Sequence, residues 1–255
     1  MKRFLNAIFN NSTRPRSGEP TVVHITHYKA GSQWVYMVLN HIAEERIVTP
    51  EVAAEHYTRG GIVPGSIYPC VYLTKEQFKA VKRPRRSRVF IVIRDLRDTL
   101  ISQYFSVKKS HEMLNPLMQR ARDILNSRDL QEGLIHLMKN NLKSSAKIQR
   151  SWAGSWRTIF VKYEDLVADE YSTFNRIFDH CRFVSDETVR REAINAHSFE
   201  RMTGRKPGEE DTNSHHRKGV SGDWENYFDK QLKDVFKEKY GQILIDTGYE
   251  KDFNW

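Results

Sequence analysis

The sequence predicts a three-layer α/β fold in which a central, mostly parallel β-sheet is flanked by helices. Three observations predict it. Short β-branched runs alternate with stretches of helical periodicity. Two of those runs, Val89–Ile93 and Thr158–Tyr163, are almost continuously apolar, as strands buried on both faces of a parallel sheet are. Loops carrying lysine, arginine or tyrosine follow the strands, where ligands bind in such folds.

The elements follow in order. Arg14–Pro20 holds Pro, Ser and Gly and reads as a lead-in, so residues 1–20 stand apart from one domain over 21–255. Thr21–Thr26 is the first strand. A helix runs from Gly31 to about Arg46. Trp34, Val38 and Ile42 share one of its faces and Val35 and Leu39 lie beside it, which buries most of it. Gly60-Gly61 and Pro64-Gly65 mark a loop. Ser66–Leu73 is the second strand, and Thr74 caps a short helix to Val81. The basic run Lys82–Arg88 leads into the Val89 strand, either as a solvated loop or as a polyanion contact. Asp95 caps a helix from about Leu96 to Val107. Helical stretches at about Pro116–Asn126 and Leu130–Trp152 precede the Thr158 strand. Further helices span about Glu170–Cys181, Asp186–Ala196 and Asp229–Ile245. Thr203–Asp223 is a long polar loop.

Bulk properties narrow the function classes. The 255 residues are 39% apolar, enough for one large core. A net charge of +9, from 41 basic and 32 acidic residues, points to an anionic partner such as a nucleotide, nucleic acid, acidic lipid or acidic glycan. The two cysteines, Cys70 and Cys181, show no metal spacing and fit a reducing compartment. The basic start Met1–Asn10 has too short and interrupted an apolar part for a signal segment, and no apolar run reaches membrane-spanning length. The expected setting is cytoplasmic, with peripheral membrane contact through the first turns as an alternative to a frayed terminus.

Three segments carry candidate chemistry. Lys29-Ala30-Gly31-Ser32-Gln33-Trp34 joins a strand to a helix, the geometry of a phosphate cradle. The helix start offers free N–H groups, Gly31 permits close approach, and Lys29 adds a mobile charge. Lysine precedes glycine here, the reverse of the Walker A order. Arg94 stands at the end of the Val89 strand and Ser102 lies two turns into the next helix, so both can face one anion. Arg217-Lys218-Gly219 sits in the polar loop and suits a lid over a phosphate.

Together these segments resemble the cytosolic sulfotransferases. Thr26–Trp34 is similar to that family's 5′-phosphosulfate loop, Thr-Tyr-Pro-Lys-Ser-Gly-Thr-Thr-Trp. Val92–Ser106 resembles its 3′-phosphate motif, an Arg at a strand end with a Ser eight residues on. Tyr163-Glu164-Asp165-Leu166 and Arg217–Phe228 resemble its Tyr-Glu-Asp-Leu/Met and Arg-Lys-Gly-x-x-Gly-Asp-Trp-x-Asn-x-Phe segments. The four matches occur in family order, and the last is the most specific.

The resemblance implies a P-loop-like domain and a sulfate donor, 3′-phosphoadenosine-5′-phosphosulfate (PAPS), with adenosine 3′,5′-bisphosphate as product. The Lys29–Trp34 loop, Ala30 included, would surround the donor. Lys29, Gly31, Ser32 and Gln33 would hold its 5′-phosphosulfate. Arg94 and Ser102 would hold the 3′-phosphate, joined by Arg217, Lys218 and Gly219. Trp34, Tyr163 and Phe199 would contact the adenine. Sulfuryl transfer builds charge on the bridging oxygen that leaves, and a positioned lysine stabilises that charge as it develops. A singly charged sulfonate needs less neutralising than a terminal phosphate, so no metal is expected.

One position departs from the family. Its catalytic histidine aligns with Tyr72, which makes Lys29, Tyr72 and Ser102 the catalytic candidates. Tyrosine, with a pKa near ~10, is a poor base at neutral pH. His56, Glu55 and His111 are the rival bases, and an acidic acceptor needs none. The acceptor is then a hydroxyl or amine on a small molecule, sugar or lipid, with no specific nucleic-acid partner. The family's C-terminal dimer motif is not evident after Asn226–Lys230. A P-loop kinase and a non-catalytic polyanion binder are the competing readings.

Overall fold

The computed structural model describes residues 18–50, 61–110, 116–155 and 158–255. The lead-in before Gly18 and the base candidates Glu55, His56 and His111 lie outside them.

Four strands form one sheet: β1 (Thr21–Thr26), β2 (Ile67–Val71), β3 (Ser87–Ile93) and β4 (Ile159–Lys162), in the order β2-β1-β3-β4. All three pairings are parallel. Side chains alternate between faces along each strand. Val22, Phe90 and Val92 face a cluster with α1 (Ser32–Ala43), α8 (Glu170–Cys181) and α9 (Glu187–Ala196). Val23, Ile25, Ile91 and Ile93 face the opposite cluster, with α2 (Lys75–Ala80) and α6 (Leu142–Trp152). The expected three-layer α/β architecture is therefore present. A third cluster joins α3 (Leu96–Phe105), α4 (Pro116–Asn126), α5 (Leu130–Asn140) and the last helix, α11 (Lys230–Asp246). Two short helices, α7 (Tyr163–Ala168) and α10 (Phe199–Thr203), complete the set.

Register decides which loops meet. Thr26 pairs with Val92, and Ile93 with Lys162. The residues just past these ends, His27, Arg94 and Tyr163, are thereby brought together.

Several elements differ from the sequence reading. The second strand stops at Val71 and not at Leu73. Cys70 adopts a left-handed backbone, φ 57°, and its N–H donates to His24 Nδ1 at 3.4 Å. The register of β1 against β2 shifts there, so Tyr72 lies beyond the strand. The expected Leu130–Trp152 helix breaks at Asn141. Asparagine is a poor interior helix former, and the Asn140 amide donates to the His136 carbonyl at 2.8 Å, competing with the backbone ladder. Tyr163-Glu164-Asp165 is not loop but the first turn of α7. The Leu96 helix continues past Phe105 as a π-helical turn, Ser106–Ser110, a feature that often marks functional positions.

Candidate anion site at the strand ends

At the top of the sheet the Thr26 hydroxyl donates to the Val92 carbonyl at 3.0 Å and locks β1 to β3. His27 follows, fully buried. Its Nδ1–H donates to the Tyr28 carbonyl at 3.0 Å, and its Nε2 accepts the Arg94 backbone N–H at 3.2 Å. These partners fix the tautomer. Burial pushes its pKa down to about 4, so a neutral ring fastens the Lys29 loop to Arg94. No motif match singles out His27, and its position in the loop is its only sequence signal.

Lys29 is half-buried and left-handed, φ 69°. Its Nζ donates to Ser106 Oγ at 3.1 Å and has no carboxylate partner among the described residues. Burial, and then the charge of Arg94, lower its pKa to about 8. Arg94 is 8% exposed. Its guanidinium donates to the carbonyls of Lys29 (3.2 Å) and Val220 (3.4 Å) and lies 4.4 Å over the Tyr163 ring. The nearest carboxylate, Asp98, is 3.9 Å away, and Arg94 Nε is buried with no hydrogen-bond partner.

The start of α1 adds to this positive site. Helices α2, α3, α5, α8, α9, α10 and α11 each begin on a Thr, Ser or Asp side-chain cap. Helix α1 has none, and no acidic residue stands in its first turn. Its free N–H groups and positive dipole end sit beside Lys29 and Arg94. A bound oxyanion would satisfy all three.

Aromatic rings wall the site. Gly31 takes φ +78°, and a Cβ there would come within 2.9 Å of Tyr163. Gly219 takes φ +65°, and a Cβ there would come within 2.6 Å of Phe199. Only glycine allows both the backbone conformation and the contact. Trp34 meets Tyr163 edge-on at 6.3 Å, and its Nε1 is buried without a partner. Ala30 is fully buried behind the loop, and Gln33 is exposed.

The structure holds the late loop over this site through Asp98, which sequence reading passed over. Its carboxylate accepts the N–H groups of Gly222 (2.7 Å) and Trp224 (2.9 Å). Arg217 pairs with Glu210 and Asp223, and Lys218 Nζ lies 2.6 Å from Asp223 Oδ1. Both late-loop cations thus have acidic partners within their own loop, which the linear reading did not foresee. The half-buried Ser102 makes no side-chain hydrogen bond to the described residues. Ser106, one turn further along, is the serine that reaches Lys29. The i, i+4 spacing of the two was its available signal.

Tyr72 stacks on Tyr28 at 4.5 Å and donates its hydroxyl to Ser32 Oγ at 3.0 Å. Burial raises its pKa above the ordinary value, which removes it further from the range of a useful base. The buried Cys70 thiol, pushed up to about 12, donates to the Ser32 carbonyl at 3.3 Å. Tyr72→Phe is therefore expected to keep any turnover within about tenfold, with the pH profile unchanged in shape. A vanished alkaline or acid limb in that profile would show otherwise. A histidine that the sequence does not mark feels the charge of the lysine. His216, in the late loop, is held below the ordinary imidazole range by burial first, and then by His215, Lys29 and Arg205.

Comparison with known proteins adds the following. The sequence profile of a family described as "Sulfotransferase domain" matches residues 19–248. A curated "Flavonol sulfotransferase-like" protein of Flaveria bidentis is 26% identical over 181 residues. That match covers 63% of this chain and 55% of the relative, so the likeness spans about half of that protein's length. Among solved structures, a mouse sulfotransferase complexed with PAP superposes with a TM-score of 0.62 at 17% identity, over 90% of this chain and 85% of that one. A retinol dehydratase in complex with retinol and PAP gives 0.51 at 16% identity, over 90% and 82% of the two chains.

Proposed function

The chain belongs to the sulfotransferase family, and on that premise we propose that it transfers a sulfuryl group from PAPS to a hydroxyl or amine of a small acceptor. The observation that carries this reading is the Lys29 ammonium, half-buried beside Arg94 at the uncapped start of α1 with no carboxylate partner among the described residues. The orphaned Arg94 Nε and the two ring-walled glycines fit an adenine nucleotide bearing more than one anionic group.

The residues divide the work. Lys29, with the N–H groups of Gly31, Ser32 and Gln33, would face the 5′-phosphosulfate, and Arg94 and Ser102 the 3′-phosphate. Trp34, Tyr163 and Phe199 would enclose the base, while Gly219 lets the late loop lie against Phe199. When bound, the donor supplies an activated sulfuryl group on a phosphosulfate anhydride. Lys29 stabilises negative charge where it develops, and Ser106 keeps the ammonium aimed. Arg217 and Lys218 act through Asp223, which shapes the loop they belong to. Tyr72 is held protonated, and His216, whose ring feels the charge of Lys29, is the histidine we propose as the acceptor's base. The retinol and androsterone complexes of the dehydratase neighbour support a small hydroxylated acceptor.

Two measurements test this. Titration calorimetry is expected to show adenosine 3′,5′-bisphosphate binding about 10–100-fold more tightly than 5′-AMP, the equivalent of one charged hydrogen-bonded group. Equal affinities would remove the 3′-phosphate assignment. Labelled PAPS with a panel of phenols, sterols and amines reads the transfer. There His216→Ala is expected to lower kcat about 10²-fold or more and to abolish the acid limb of the pH profile. An unaltered limb would return the proton to another group.

A further inference from the structure

We propose that the opposite end of the sheet carries a second anion site, which binds a ligand bearing several clustered phosphate groups. It is a cleft of about 850 Å³ whose cationic walls are Arg85, Arg86, Arg88 and Arg182, with the imidazole of His180 beside them. Ser87 opens β3 and Thr158 directly precedes β4, and both line it. In a parallel sheet this is the edge away from Lys29 and Arg94, which follow strand ends. The donor reading neither uses these residues nor depends on them.

The cleft is strongly positive. Four guanidinium groups converge from separate parts of the chain: the loop before β3, β3 itself and the end of α8. No carboxylate among the described residues lines the cleft. Among the described residues, none of these four arginine side chains has an ion pair or a hydrogen bond. Several other arginines of the chain are paired with acids. Arg46, Arg94, Arg97, Arg190 and Arg217 each have an acidic residue within 4.0 Å. Like charges held together without counter-charge raise the local potential and favour a polyanion.

The walls of the cleft are also rigid. Ser87 Oγ donates to the Pro84 carbonyl at 2.6 Å, and the Arg86 carbonyl accepts from Thr21 N at 3.2 Å. Arg182 ends α8 in the left-handed conformation, φ 56°, with its N–H bonded to Asp179. His180 Nε2–H donates to the Val89 carbonyl at 2.9 Å. The backbones that carry the cations are thus fixed before any ligand arrives. The cleft is large as well. The volume lies in the range of small-molecule sites, about 300–1,000 Å³, and exceeds what one phosphate needs. A soluble polyphosphate ester and a phosphoinositide headgroup share the required chemistry.

The test uses the full chain at physiological salt. Inositol hexakisphosphate is the soluble probe, followed by calorimetry. Phosphatidylcholine vesicles with and without phosphatidylinositol 4,5-bisphosphate are the lipid probe, followed by co-sedimentation. Arg85, Arg86 and Arg182 are exposed, so R85Q/R86Q/R182Q is expected to melt like wild type. The triple variant should lose about tenfold or more in affinity for the probe that binds, with adenosine 3′,5′-bisphosphate affinity unchanged. Lys29→Ala should show the converse. Binding to vesicles alone identifies a headgroup site, and binding to the soluble probe alone identifies a free phosphate ester. Absence of binding to both probes, equal binding by wild type and triple variant, or displacement by the bisphosphate would overturn the proposal. So would tighter binding of a random-sequence RNA than of either probe.

Discussion

Lys29→Met is expected to transfer sulfate about 10²–10³-fold more slowly than wild type while gaining stability at pH 7. The two effects share one cause. The structure buries much of an ammonium next to a guanidinium, with Ser106 as its hydrogen-bond partner and no carboxylate partner among the described residues. The folded pKa, about 8, lies below the ordinary lysine value of 10.5. Below pH 8 both folded and unfolded chains carry the charge, and the folded one bears the full desolvation cost. Between pH 8 and 10.5 the native state has lost its proton while the unfolded state keeps it, so wild-type stability from this group rises with pH. The advantage of Met should therefore be largest below pH 8 and narrow above it. Loss of the Ser106 bond offsets part of the gain, leaving about 1–2 kcal/mol, a few degrees in melting temperature for a chain of this size. Thermal melts across this pH range, beside turnover of labelled PAPS, check both. A variant that keeps wild-type turnover would remove Lys29 from the chemistry. Anion binding to the wild type should also weaken as pH rises past 8.

Asp98→Ala should be the most destabilising of these substitutions, about 3–5 kcal/mol. Asp98 is 1% exposed, and burial pushes its carboxyl above the ordinary range, against the pull of Arg94 and the two amides. Its removal leaves the N–H groups of Gly222 and Trp224 without an acceptor and Arg94 without its nearest counter-charge. The late loop loses its main tie to α3, so affinity for adenosine 3′,5′-bisphosphate should fall about tenfold or more. Asp98→Asn keeps one acceptor oxygen and should fall between wild type and Ala on both measures. Denaturant midpoints and calorimetry read the two effects separately. A variant of normal stability and affinity would show that the loop is held by other contacts.

Much of the fold was legible because its signals are local. Thr74 and Asp95 cap helices where the sequence placed them, and the helices expected from Asp186 and Asp229 begin there, with those residues as their caps. The β-branched runs became strands of one sheet, with β1 and β3 inside it, although Cys70 cut β2 short by a left-handed turn that no periodicity announces. The Asn140-Asn141 pair did carry a breaking signal, weaker than the apolar pattern that runs through it.

The site divides in the same way. The sequence by itself determined the loop chemistry: a lysine ahead of Gly31 at a helix start, an arginine closing an apolar strand, and the Arg217-Lys218-Gly219 run. These are patterns of neighbours, set by propensity and spacing. Only the tertiary structure decided who meets whom. Lys29 meets Ser106 across 77 residues, and Asp98 meets Trp224 across 126. The pairing of Arg217 and Lys218 with Asp223 also had to be seen in three dimensions. Such contacts follow from strand register and helix docking. A one-residue slip of β3 against β1 would send every side chain to the other face, and that register is fixed by the packing of the whole core, which no local stretch of sequence contains.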